Sequence, residues 1–327
     1  MTALSSADGA RRRVAFFGSG AFGVPSLDAL HAAHDIPLVV TQPPRPAGRK
    51  RALTPTPIHQ HADSLGLPVA HEENVNEPAF IDRVAGLGLD ASIVIAFGQK
   101  LGEPLIEAMG RLAVNLHGSL LPAYRGAAPI QRAVMNGDAT TGVCVIGLAQ
   151  RMDAGPIYAE RSLDIEPTET SGELHDRLAL LGPEAVLAVL DDLAHDRLAP
   201  VTQDESLATR ARKLSKADGT VSFDQPAERV RALINGLNPW PGCRVRWTRT
   251  AEGSTAELIL RRAAAETGSV GSSVEAGTAV DGDGRFACAE GVVRVLEVQA
   301  PGKPAQPWDV FTRGQPVAAG DRLEALD

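Results

Sequence analysis

The chain has 327 residues, 44% apolar and 22% charged, the balance of an ordinary soluble globular protein long enough for two domains. Its formal charge is −8, from 32 Lys and Arg against 40 Asp and Glu, which excludes a basic-coated chain that binds any nucleic acid it meets. Three separated cysteines (Cys144, Cys243, Cys288) exclude a disulfide scaffold and a cysteine-built zinc site, and fit a reducing, cytoplasmic setting.

In chain order, residues 1–13 lack the hydrophobic core of a signal peptide, and no later apolar run approaches the ~20 residues needed to span a bilayer. Residues 14–17 read as a strand entering Gly18, with a helix over 24–34. Further strands are expected at 37–41, 91–96 and 112–116, apolar on both faces as buried parallel strands are. Helices are expected at 58–65, 78–87 and 130–136. Another buried strand follows at 141–148, then two helices at 174–181 and 184–194. This βαβ series predicts an α/β fold: a Rossmann-like open, mostly parallel sheet with right-handed crossovers. The pattern weakens into polar residues at 200–212, read as a linker, so the expected domains are 1–199 and 213–327. Beyond it come a short helix at 226–234, a stiff Asn-Pro-Trp-Pro-Gly turn at 238–242, and alternating strands at 244–248, 257–261, 285–289 and 292–298. Glycine-rich turns join them, which suggests a small β-barrel or sandwich. Residues 263–276, poor in large apolar side chains, are expected to be a mobile loop.

Gly18-Ser-Gly20-Ala-Phe-Gly23 matches G-x-G-x-x-G between a strand and a helix. A dinucleotide cradle would want an acid at the end of the second strand for the ribose, and this chain reads Val-Val-Thr-Gln-Pro at 39–43. Arg45 and Arg49 leave an NADP site open; the missing acid favours a structural strand-to-helix turn. The histidines His59, His61 and His71 lack H-E-x-x-H spacing and do not argue for a metal.

Asn115 and His117 stand two residues apart at the end of a buried strand, so they point to the same side, where open α/β sheets bind ligands. Asp153 lies on a turn after the next buried strand. An amide and an imidazole can donate to the oxyanion of a tetrahedral intermediate while a carboxylate orients the imidazole and helps relay protons. With an amine as acceptor, no Ser or Cys nucleophile is needed. A core histidine and a turn-forming aspartate explain the spacing equally well.

The run NLHGSLLPAYRGAAPIQRA at 115–133 resembles the signature of the 10-formyltetrahydrofolate-dependent formyltransferases, and nearest those that act on initiator methionyl-tRNA. The likeness extends through 17–23, 137–143, 152–155, 170–176, 211–214, 238–242 and 299–303, nearly the whole chain. It implies formyl transfer from 10-formyltetrahydrofolate to the amino group of initiator Met-tRNA, with Asn115, His117 and Asp153 as the catalytic trio. Ser119, Leu120, Leu121 and Pro122 then form the folate-contacting loop, and the pterin lies against backbone around Phe97, Gln99 and Leu101. The resemblance also implies an OB-like C-terminal β-barrel domain that contacts tRNA, with no metal and no nucleotide cofactor; no obligate protein partner is evident.

Charge tests that partner. Between residues 36 and 62 lie Arg45, Arg49, Lys50 and Arg51 and no acid, in a proline-framed loop. Such a loop can contact acceptor-stem phosphates, and the family carries an inserted loop here with P-A-G-R as its core. Here it reads Gln-Pro-Pro-Arg at 42–45, where an acid commonly follows the first proline. Residues 210–249 hold nine Lys or Arg, Arg212 and Lys213 among them, against three acids. These two segments carry +4 and +6, leaving −18 on the rest of the chain. Three rival readings are a sugar-nucleotide N-formyltransferase, with little use for this basic track, an NADP-dependent oxidoreductase, and a non-catalytic RNA-binding module.

Overall fold

The computed structural model describes residues 11–47, 52–266 and 274–326. They form two compact units: one of residues up to Arg125 with Gly142–Ser162 and Asp176–Thr209, the other of Gly126–Thr141, Leu163–His175 and the chain from Arg210. Each unit is thus assembled from separate stretches of chain.

The first part of the chain runs β1 (Val14–Gly18), α1 (Val24–Ala33), β2 (Val39–Thr41), β3 (Arg45–Ala47), β4 (Ala52–Thr54), α2 (Pro57–Ser64), β5 (Val69–His71), α3 (Pro78–Ala85) and β6 (Ala91–Ile95). It continues with α4 (Glu103–Ala108), β7 (Leu112–His117), β8 (Arg125–Gly126), α5 (Pro129–Asn136), β9 (Thr140–Gly147), β10 (Ile157–Asp164) and α6 (Ser171–Ala194). Seven strands form one sheet in the order β10-β9-β7-β6-β1-β2-β5. β1 and β6 are buried at every position, which places them centrally. β1 pairs in parallel with β2 and β6, β2 with β5, and β6 with β7, the mostly parallel sheet expected.

Two expectations change. The strand expected at 141–148 is β9, and it runs antiparallel to β7; an apolar run reports burial on both faces and carries no direction. The two helices expected at 174–181 and 184–194 are one helix, α6, with Pro183 inside it. A mid-helix proline costs about 3 kcal/mol, which burial of Leu178, Ala185, Val186, Val189 and Leu190 offsets. The polar stretch 200–212 is bonded along its length: Val201 bridges Ile157, the Arg125 amide donates to Thr209, and the Ala127 amide donates to Ala211. The edge strands β5 and β10 escaped the sequence pattern, because half-exposed edges carry no continuous apolar run.

The chain continues with β11 (Arg210–Ala211), α7 (Ala227–Gly236), β12 (Cys243–Arg249), β13 (Ser254–Glu266), β14 (Arg285–Ala287), β15 (Val292–Gln299), β16 (Gln306–Pro307), α8 (Trp308–Gly314) and β17 (Arg322–Ala325). An antiparallel sheet curls in the order β14-β15-β13-β12-β17. Thr278 bridges Arg322 on β17 and Ala279 bridges Phe286 on β14, so one short segment joins the two ends of the sheet. Closure of this kind removes exposed edges and matches the expected OB-like barrel. The mobile loop expected at 263–276 is partly strand, since 263–266 belong to β13; residues 267–273 lie outside the described residues.

Trp247 anchors the barrel interior at 1% exposure. Its ring meets Phe311 edge-on at 5.6 Å between centroids, and its indole N–H donates to Asp321 Oδ2 at 3.2 Å. Trp247→Ala is expected to destabilise the protein by about 3–5 kcal/mol, read by chemical denaturation.

Candidate active site

The G-x-G-x-x-G turn is closed by the protein itself. Ser19 Oγ donates to the Phe97 carbonyl at 3.0 Å, and the Gln42 amide donates to Ser19 Oγ at 3.1 Å. A Cβ on Gly18 would stand 2.5 Å from the Phe16 ring and 3.0 Å from the Ile95 carbonyl. These glycines answer close packing against β6, which accounts for the motif without a nucleotide.

β7 carries Asn115, half-buried, and His117, 6% exposed. His117 Nε2 lies 3.0 Å from the Tyr124 carbonyl. A carbonyl only accepts, so Nε2 carries the proton and Nδ1 is the other edge of the ring. Asp153 Oδ2 stands 3.7 Å from Nδ1, beyond direct hydrogen-bond length yet within electrostatic reach. Because β9 is antiparallel, Gly147 at its end pairs with Val114, and the following turn folds back along the sheet to bring Asp153 to His117.

Both loops around this pair hold non-glycine residues in the left-handed region: Tyr124 at φ 64° and Asp153 at φ 55°. Ala96, just past β6, is a third at φ 47°. Such strain costs on the order of 1–3 kcal/mol per residue and gathers at functional sites.

The 118–126 loop is firmly held. Ser119 is fully buried and donates to the Ala123 carbonyl at 2.7 Å; the Leu121 peptide N–H points at Cys144 Sγ, 3.3 Å away. Leu121 packs with Cys144 and Ile146 in a small apolar cluster, while Leu120 and Pro122 stay half-buried. Burial pushes the Cys144 thiol up to about 12, so it remains a neutral acceptor rather than a nucleophile. Phe97 turns its side chain into the core with Phe17, Leu105 and Met109, and half-buried Leu101 packs against that cluster. The Gln99 side chain accepts from the Val75 amide and donates to the Glu72 carbonyl, at 3.1 and 2.6 Å. What this stretch can offer a ligand is therefore backbone.

Among the residues expected to meet tRNA, Arg45 lies exposed on β3, in a two-stranded hairpin with β4 where a loop was expected; its guanidinium is 3.8 Å from Glu73. Arg49, Lys50 and Arg51 lie outside the described residues. Arg212 is exposed and pairs with Asp218 at 2.9 Å, and Lys213 is exposed. Arg231, Arg244 and Arg249 pair with Glu228, Glu257 and Glu252 of their own unit. The pairs exposed on both sides, Arg45 with Glu73 and Arg244 with Glu257, are worth at most ~1 kcal/mol, so phosphate can compete for them.

The histidines weighed as metal ligands bond elsewhere: His71 Nε2 to His59 Nδ1 at 2.8 Å, His59 to Asp63 at 2.9 Å, His61 to Asp28 at 2.6 Å. Among the described residues, no cluster suited to a metal occurs.

Three residues at the site were not singled out from the sequence: Arg125, Gln203 and Glu205. Arg125, 8% exposed, donates to Gln203 Oε1 through Nε and Nη2 and to both oxygens of Glu205. Hydrogen bonds from Arg125 and then Arg151 hold the Glu205 carboxyl below the usual range. A lone buried Gln in an exposed stretch leaves no periodic trace; only the charge of Arg125 inside a glycine-framed loop hinted at a partner.

A formyl transferase family model matches residues 12–190, and a formyl transferase C-terminal domain model matches 213–316. The chain belongs to the formyl transferase family. Methionyl-tRNA formyltransferase from Roseobacter denitrificans is 40% identical over 309 residues, covering 94% of this chain and 97% of the relative. The protein of the same name from Granulibacter bethesdensis is 40% identical over 322 residues, covering 96% and 97%. The fold is shared with HypX from Aquifex aeolicus, solved in complex with tetrahydrofolic acid, at TM-score 0.60 and 15% identity over 93% of this chain and 47% of that one. WlaRD, a sugar 3N-formyl transferase, aligns at TM-score 0.63 and 13% identity over 90% of this chain and 100% of that one. As a family member, this chain is a formyltransferase. No helix among the described residues is long and apolar enough to cross a membrane.

Proposed function

We propose that this chain transfers the formyl group of 10-formyltetrahydrofolate to the α-amino group of initiator methionyl-tRNA in the cytoplasm, giving N-formylmethionyl-tRNA. The observation that carries the reading is His117 set beside Asp153 at the mouth of the 115–133 loop, in a chain whose relatives at 40% identity bear that name along nearly their whole length.

The uncharged amine attacks the formyl carbon, forming the new C–N bond and a tetrahedral oxyanion. Asn115 donates to that charge through its amide, and His117 does so once Nδ1 carries a proton. Because His117 Nε2 is committed to Tyr124, proton traffic falls to the Nδ1 edge that Asp153 faces. The proton leaving the amine is passed toward N10, and collapse of the intermediate breaks the bond to N10. Ser119, Leu120, Leu121 and Pro122 line the folate side, and backbone at Phe97, Gln99 and Leu101 meets the flat edge of the pterin. Residues 1–199 carry the chemistry and 213–327 the RNA contact, with 200–212 between them. Arg45, Arg49, Lys50, Arg51, Arg212 and Lys213 meet phosphates.

Incubation with 10-formyltetrahydrofolate and charged initiator tRNA is expected to yield formyl-methionine. Formylation of an amino-sugar nucleotide instead would overturn the reading. Arg49→Ala is expected to raise the KM for tRNA severalfold and to reduce the slope of log KM against log salt by about 1, with the folate KM unchanged. An unchanged salt slope would remove Arg49 from the interface.

A further inference from the structure

We infer that Gln203 is a positioning residue for the reaction, fixing the Asp153 turn against the His117 loop. The inference rests on the roles assigned above to His117 and Asp153. Gln203 is 7% exposed within a stretch whose sequence neighbours face solvent. Its Nε2 donates to the Asp153 carbonyl at 2.8 Å and to the Gly155 carbonyl at 2.7 Å. Its Oε1 accepts from Arg125 Nε at 3.0 Å and Nη2 at 2.7 Å. Both donor hydrogens and both lone pairs of the carboxamide are therefore in use. The orientation is unambiguous, since carbonyls only accept and a guanidinium only donates.

The residue before Arg125 is Tyr124, whose carbonyl accepts from His117 Nε2 at 3.0 Å. The contacts close a ring: His117 to Tyr124, along the chain to Arg125, across to Gln203, then to the Asp153 backbone, whose side chain faces His117 again at 3.7 Å. Tyr124 and Asp153 both hold left-handed backbone, which persists only where surrounding contacts over-determine it. Gln203 supplies such a contact at Asp153, and Arg125, bonded to Gln203, anchors the residue next to Tyr124. Buried, and with its carboxamide fully engaged by protein groups, Gln203 acts by setting the separation of ring and carboxylate.

Gln203→Glu tests this with little change of shape. The carboxylate keeps a charged acceptor for Arg125 but replaces Nε2 and its two donor hydrogens with a single oxygen that faces the Asp153 and Gly155 carbonyls. The expected result is a kcat about 10- to 100-fold lower, since misplacement of catalytic groups by about 1 Å costs up to 100-fold. The KM values for folate and tRNA stay within about twofold, and the imidazole ¹⁵N resonances of His117 shift. Gln203→Met, which loses both sets of bonds without charge repulsion, is expected to show the same split between kcat and KM and serves if the first variant does not fold. Wild-type kcat in either folded variant, or KM values rising in proportion to the loss, would overturn the inference. Asp153→Asn is measured alongside. Wild-type turnover in Asp153→Asn would break the underlying reading, whereas an inactive Asp153→Asn with fully active Gln203 variants would break the positioning role alone.

Discussion

Replacing His117 by alanine is expected to lower kcat by about 10³-fold while tRNA affinity stays within about twofold. The magnitude follows from the chemistry removed: a positioned acid–base group contributes about 10²–10⁴-fold, and one oxyanion donor about 10²–10³-fold. The ring is 6% exposed, with Nε2 3.0 Å from the Tyr124 carbonyl and Nδ1 3.7 Å from the Asp153 carboxylate. Losing it leaves one carbonyl without its donor, a cost of about 1–3 kcal/mol against a domain stability of about 5–15 kcal/mol. The variant should therefore fold, and single-turnover kinetics beside a binding titration separate the two effects. Collapse of tRNA binding along with turnover would make His117 a structural residue.

The second large effect is expected at Gly155. A methyl group there would fall inside the van der Waals radius of the Gly147 carbonyl oxygen, a backbone atom at the end of β9, where the Gly147 amide is itself tied to the Pro156 carbonyl. Backbone cannot rotate aside as a side chain can, so the turn itself must move. Gly155→Ala is then expected to cost about 1–3 kcal/mol as overpacking and about 100-fold in kcat, because Asp153 is carried with the turn. Thermal unfolding and steady-state kinetics measure the two losses. Wild-type turnover in Gly155→Ala would mean that Asp153 keeps its place by other contacts, or that its place does not matter.

The legible parts of this protein were those with a local signature. β1, β6 and β7 were readable because two-sided burial leaves continuous apolar runs, and Asn115 and His117 because period-two spacing at a strand end puts them on one side. Asp153 was readable as a member of a motif, while its approach to Nδ1 of His117 was not. The hairpin of β3 and β4 was read as a loop, since two three-residue strands holding a proline carry no strand pattern. The second unit's α8 and β17 were missed for the same lack of length. Gln203 escaped because a residue buried by contacts some fifty and eighty positions away has neighbours in space that its neighbours in sequence do not announce.

The average charge of −8 would have argued against RNA, yet the order of residues already placed +4 and +6 in two short segments of an acidic chain. Composition, the strand–helix alternation and the 115–133 loop thus established the α/β class, the family and the candidate chemistry, because each depends on residues close together in the chain. Tertiary structure decided the reversed direction of β9, the continuity of α6 through Pro183, the closure of the barrel by 278–279, and the pairing of many of the second unit's arginines with nearby acids. It also decided the chain of contacts that runs from His117 through Tyr124, Arg125 and Gln203 to the Asp153 backbone. These features depend on strand direction and on partners distant in sequence. A periodic pattern records only which faces are buried, not what buries them.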